Sequence, residues 1–416
     1  MIQRIFIAII LTIAPCTVYG QMSVNDYTEK VLAYSQELID KELAIQGARE
    51  GELAARKDYL PLFTLARELN VDVRNPTIGR RWSWLTRLDV LQPVFRGGTV
   101  RAQAKQAELL YDIAELDKEA TMLFVRYTAE VVYWSLSRAE NYLAAVTEYL
   151  NIVRSLRGVV LDRYNEGYTS KSDLLQVESR LSDVEYKLSE AQQKRDIALH
   201  NFNMLYGSEP STAVQLTQTI LEEFLMPMRV GLADIISGHP DYLASIKSVE
   251  NSFWGVRAAR ARFLPQIEVG VYGLLQPNTP HVKGGGLSLD GGLLFSFAMP
   301  LYHFGERKHV VAVARSGYLR QVNASAEVVD RITLDESNAW CNLISTHDRV
   351  QTIRQSLAIA QENLSISTYS YREGRSTILD VLQAQISWLQ IYTNALTAQY
   401  DYAVAMSAYR YVVCSE

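Results

Sequence analysis

The stretch RYNEGYTSKSDLLQ, Arg163–Gln176, returns in altered form as SYREGRSTILDVLQ, Ser370–Gln383. Gly167 and Gly374, Asp173 and Asp380, and Gln176 and Gln383 share one offset, 374 minus 167 or 207 positions. The same offset relates Pro93 to Pro300, Phe95 to Tyr302 and Gly98 to Gly305, so VLQPVFRGG and SFAMPLYHFG are counterparts. Near the front of each half, AARKDYLPLFTLA answers AARARFLPQIEVG. Self-similarity on this scale reads as a tandem duplication, with a first repeat over 21–206, a connector over 207–238 and a second repeat over 239–416.

Proline placement divides each repeat. Proline in a helix interior costs about 3 kcal/mol or more, and none occurs from Val94 to Glu209 or from Leu301 to Glu416. Each proline-free run therefore predicts two helices joined at the opening motif, over about 98–164 and 172–206, then 306–371 and 379–414. Leu174, Val177, Leu181, Val184, Leu188, Ala191, Ala198, Phe202 and Leu205 alternate spacings of three and four, with Arg195 breaking the seam. That spacing is a coiled-coil seam. Val381, Ala384, Trp388, Ile391, Ala395, Ala398, Tyr402, Ala405, Tyr409 and Val412 repeat it in the second half.

The segments ahead of the long helices change to period two. Phe63, Leu65, Leu69, Val71 and Val73 alternate with polar residues, as do Trp82, Trp84, Leu88 and Val90, and later Ile267, Val269, Val271 and Leu275, then Leu287, Leu289, Leu293, Phe295 and Phe297. Four strands follow, over about 62–73, 82–92, 266–276 and 287–299, paired as two hairpins. Tilted strands of about 9–11 residues cross a bilayer. The loops RNPTIGRR and PNTPHVKGGG carry ordinary turn residues, and Gly284-Gly285-Gly286 lacks the Lys-Ser/Thr sequel of a phosphate loop. Trp82, Trp84 and the tyrosines suit either an interfacial girdle or plain strand packing.

Composition narrows the function. The 416 residues carry a net charge of −5, with basic residues scattered, so there is no footprint for nucleic acid. Residues 1–20 have Arg4 ahead of an apolar run and end in Val18-Tyr19-Gly20, the pattern of a cleaved secretory signal peptide; Pro15 before Cys16 argues against lipidation there. No downstream stretch is apolar enough for a transmembrane helix, so a membrane crossing has to use strands. The six histidines show no paired ligand spacing. No serine sits in a nucleophile elbow, and no cysteine–histidine pairing suggests a nucleophile, so we expect no catalysis, metal or cofactor. Cys341 and Cys414 flank the second turn at similar distances, leaving open a disulfide or two lone buried thiols.

Four strands cannot close a water-filled barrel, and an open edge in lipid leaves backbone groups unsatisfied at several kcal/mol each. Other copies of the chain must pair the edges, and three copies supply twelve strands. The signal peptide, the duplicated layout, the AAR..FLP and P.[FY]..G junctions and the Y..G.....D turns together resemble the TolC-like outer-membrane efflux protein family over essentially the whole mature chain. The resemblance implies an α+β membrane protein: a homotrimer with a 12-stranded barrel in outer-membrane lipid, continuous with a periplasmic α-helical barrel. It also implies a passive exit duct for tripartite efflux or type I secretion, docked to a periplasmic adaptor and an inner-membrane pump. The competing reading is a secreted coiled-coil structural or adhesion protein.

In the resembled family the repeated turns are the periplasmic tips. Gly167 and Gly374 then serve as tip turns and adaptor contacts, or simply as turn glycines. The resemblance assigns a constricting acidic position to Asp380 and places Gln383 where a second acidic residue is common. It also implies a link from Tyr371 to Asp173, and Ser376 stands where an arginine is expected, with Arg375 one place early. For Asp173 and Asp380, helix capping is the alternative.

Overall fold

A computed structural model describes residues 21–71, 82–277, 286–302 and 304–414. The expected signal segment, most of both hairpin loops and His303 lie outside the described residues. In chain order the elements are β1 (Gln21–Met22), α1 (Val24–Tyr34), α2 (Gln36–Lys57), β2 (Leu62–Val71), β3 (Trp82–Arg96), α3 (Thr99–Asn165) and α4 (Lys171–Leu205). After these come β4 (Gln215–Leu216), α5 (Leu232–Gly238), α6 (Pro240–Ala261), β5 (Gln266–Pro277), β6 (Leu287–Ala298), α7 (Glu306–Arg372) and α8 (Ile378–Val412). Helices α3 and α7 have 67 residues each, about 100 Å at about 1.5 Å per residue. Among the described residues no helix is long and apolar enough to cross a membrane.

The chain divides into two compact units. One comprises Gln36–Leu123, Val230–Ser337 and the chain from Val412. It holds an antiparallel sheet in the order β2-β3-β5-β6, so the two hairpins join through β3 and β5. Cross-strand partners share a face, and the register sets Phe63, Val90, Val271 and Leu293 in one row across all four strands. Gln92, Val269 and Phe295 form another row on that face. The side is apolar and open: Phe63 is 71% exposed, Leu293 86% and Phe295 71%. The other face carries Thr64, Asp89 and Tyr272 in one row, with Arg87 bonded to Asp89 at 2.7 Å and Arg96 to Glu268 at 2.9 Å.

Strand β3 runs past the expected end at residue 92, through Pro93 to Arg96. A register irregularity between Pro93 and Phe95 absorbs the missing amide donor, which is how proline survives inside a paired strand.

The other unit comprises the residues up to Ser35, Phe124–Arg229 and Asn338–Tyr411. Its core follows the helical seams. On α4, Val177, Val184, Ala191 and Ala198 are buried at seven-residue spacing, and on α8 Val381, Ala384, Trp388, Ala395, Tyr402, Ala405 and Tyr409 are buried. Arg195, the break in the seam, turns to Asp196 at 3.2 Å and Glu140 at 4.0 Å. The short β1 pairs in parallel with β4, tying the start of the described chain to the connector. Tyr27 stacks on Phe202 at 3.9 Å and donates to its carbonyl at 2.9 Å, while the Tyr133 hydroxyl donates to Met22 O at 3.0 Å. Cys341 and Cys414 are both free, Cys341 exposed and Cys414 half-buried, against the expectation of buried thiols or a bridge. Burial pushes the Cys414 thiol up to about 11, so it is protonated at neutral pH.

Candidate functional site: the paired hairpin tips

Both repeated motifs close as the same reversal. After α3, Tyr168 N donates to Arg163 O at 2.8 Å and Gly167 N to Tyr164 O at 3.0 Å; after α7, Arg375 N donates to Ser370 O at 2.8 Å and Gly374 N to Tyr371 O at 3.0 Å. These are Schellman C-caps. Gly167 (φ 80°) and Gly374 (φ 75°) occupy the left-handed position such a cap needs. An added Cβ would meet nothing within 4 Å at either, so the requirement for glycine is conformational and not steric.

The return helices start with mirrored caps. Ser170 is the N-cap of α4, its hydroxyl accepting from Asp173 N at 3.2 Å, while Asp173 Oδ2 accepts from Ser170 N at 3.3 Å and from the Thr169 hydroxyl at 2.6 Å. In the second motif Asp380 Oδ2 accepts from Thr377 N at 2.8 Å and from its hydroxyl at 2.7 Å. Each aspartate thus closes a capping box from the third helical position, one turn inside the N-cap place the sequence suggested. The Thr169 hydroxyl holds the Asp173 carboxyl below its usual range, and the Thr377 hydroxyl does the same for Asp380. Asp380 and Gln383 are exposed one turn apart on α8, and Arg375 is exposed at the turn.

The implied Tyr371–Asp173 link is not formed within the chain. Tyr371 is only 5% exposed, packed with Leu156, Val160, Val177, Ile378, Val381 and Leu382, and its hydroxyl has no hydrogen-bond partner. Asp173 stays at the tip surface, its carboxylate taken by the cap.

The hairpins are instead joined by Arg163, which sequence reasoning passed over. Its Nη1 donates to Tyr371 O at 3.0 Å and its Nη2 to Arg372 O at 2.7 Å, and the guanidinium carbon lies 4.9 Å from the Tyr371 ring centre. The available signal was a mismatch, since Ser370 occupies the corresponding place in the second motif. A second unforeseen residue is Gln385, fully buried on α8 with both amide atoms unpartnered. A groove of about 560 Å³ between α3, α7 and α8, lined by Ser155, Thr368, Arg372 and Trp388 among others, runs beside these residues. Among the described residues no group of three His, Cys, Asp or Glu is placed to hold a metal.

The apolar-faced sheet and the long capped hairpins define a class: an outer-membrane protein that spans with strands and extends helices into the periplasm. Residues 28–208 and 232–410 match the family model described as outer membrane efflux protein, and the chain belongs to that family. It is 24% identical over 313 residues to nodulation protein T of Rhizobium leguminosarum bv. trifolii, covering 70% of this chain and 63% of that one. It is 25% identical over 280 residues to the outer membrane efflux protein BepC of Brucella suis biovar 1 (strain 1330), covering 65% and 57%. The chain thus spans less than two thirds of the length of these relatives. Among solved structures, the outer membrane protein VceC of Vibrio cholerae superposes with a TM-score of 0.78 at 18% identity, covering 94% of this chain and 96% of that one. The open-state MtrE outer membrane channel of Neisseria gonorrhoeae gives a TM-score of 0.80 at 18% identity, covering 94% and 89%. These likenesses show that the fold is shared. The chain is an outer-membrane protein of a Gram-negative cell with its helical part in the periplasm.

Proposed function

We propose that three copies of this chain form a passive exit duct across the outer membrane, with a 12-stranded barrel and a periplasmic helical tunnel. One observation carries the reading: a four-stranded sheet with one open apolar face whose outer strands, β2 and β6, each pair on one side only among the described residues. In lipid those edges must find partners, and neighbouring copies offer β6 to β2 around a closed ring. A secreted adhesion protein would leave Phe63, Leu293 and Phe295 in water, which favours the duct. The hairpin tips form the periplasmic end, where Asp380 and Gln383 ring the constriction, and the groove beside the tips offers a seat for a helix of a periplasmic adaptor coupled to an inner-membrane pump. Detergent-purified protein should run as a heat-modifiable trimer and give discrete conductance steps in planar bilayers. A protein that stays monomeric and soluble without detergent would overturn the reading.

Asp380→Asn is expected to reduce the cation preference of the pore, read as a shift in reversal potential under a salt gradient. An unchanged reversal potential would remove Asp380 from the constriction.

A further inference from the structure

We propose that Arg163 is the clasp that holds the second hairpin tip to the first, in place of the implied tyrosine–aspartate link. The last carbonyls of a helix have no partner within it and carry its partial negative charge. Tyr371 O and Arg372 O lie at the end of α7; Tyr371 O already accepts from Gly374 N in the cap at 3.0 Å, and the guanidinium, fixed in the last turn of α3, adds one N–H to each carbonyl at 3.0 and 2.7 Å. The planar fork suits two adjacent acceptors, and its approach to 4.9 Å from the Tyr371 ring centre adds a cation–π contact. The two rivals for the role are otherwise engaged: the Asp173 carboxylate closes its own helix cap, and the Tyr371 hydroxyl is sealed in the core without a partner. The clasp is also one-sided, because Ser370 at the matching place in the second motif is too short to return it. Moving the second tip away from the first therefore requires breaking both Arg163 bonds, which makes this arginine the positioning residue of the tip arrangement seen in the chain. The gating consequence rests on the duct reading; the clasp itself does not.

The test uses the full-length protein in detergent or bilayers as Arg163→Ala and Arg163→Lys. Hydrogen exchange of the Gly374 and Arg375 amides should accelerate on the order of tenfold in Arg163→Ala. Arg163→Lys should lie between, since lysine keeps the charge and loses the fork and the stack. Single-channel conductance should rise in the same order, while trimer content and helical signal stay at the wild-type level. Unchanged exchange in Arg163→Ala would overturn the clasp. Faster exchange with unchanged conductance would overturn its role in gating. Wild-type protein that forms no pores would overturn the duct reading, and the exchange result would still decide the clasp.

Discussion

Asp173 and Asp380 stabilise the tips only while ionised, because each accepts hydrogen bonds with the oxygen that protonation would block. Both have folded values depressed below the ordinary 3.8. A depressed carboxyl contributes stability that is fully present above the unfolded value and is lost as pH falls through the folded one. Tip protection, followed by hydrogen exchange at the start of α4 and α8, is therefore expected to hold from pH 7 to about pH 5 and to fail only below about pH 4. Ser170→Ala removes the partner of this box and is expected to cost about 1 kcal/mol in denaturant unfolding. Tyr371 separates packing from bonding at a single position. With its hydroxyl unpartnered, Tyr371→Phe should leave stability unchanged or slightly raised, whereas Tyr371→Ala should cost about 3–5 kcal/mol by opening the tip cluster.

At the scale of the element, α8 is a seam helix with a flaw. Its stripe of Val381, Ala384, Trp388, Ala395 and Tyr402 packs as the three–four spacing requires, yet Gln385 beside it is fully buried without a partner. The corresponding place on α4 is Glu178, which meets Arg157 at 3.0 Å. In the second repeat Leu364 stands at the place matching Arg157, so the glutamine amide has no arginine to meet there. Gln385→Leu should therefore raise stability by about 1–3 kcal/mol, read from denaturant midpoints at constant m-value. The seams, the strand alternation and the turns were legible in the sequence because each is a periodic or local property. Strand β3 beyond residue 92 was not, since the bulge that admits Pro93 depends on the pairing with β5.

For the whole molecule, the two faces of the sheet differ in what they tolerate. Leu293→Arg places a charge on the open apolar face and should cost about 2–4 kcal/mol in lipid, seen as loss of heat-modifiable trimer from outer-membrane fractions. Ser296→Arg, on the opposite face in register with Glu268, should assemble normally. Equal loss in both variants would show that the apolar face does not meet lipid.

The sequence by itself determined the four strands, the two long hairpins and the reversals at Gly167 and Gly374, because hydrophobic period, proline placement and left-handed turns act over a few residues. The tertiary structure alone decided who holds the tips together. Arg163 reaches carbonyls more than two hundred positions away, Tyr371 turns its hydroxyl into the core, and Asp173 spends its charge on its own cap. Those outcomes depend on the rotation and axial register of packed helices, and the motif carries the same letters whichever way they settle.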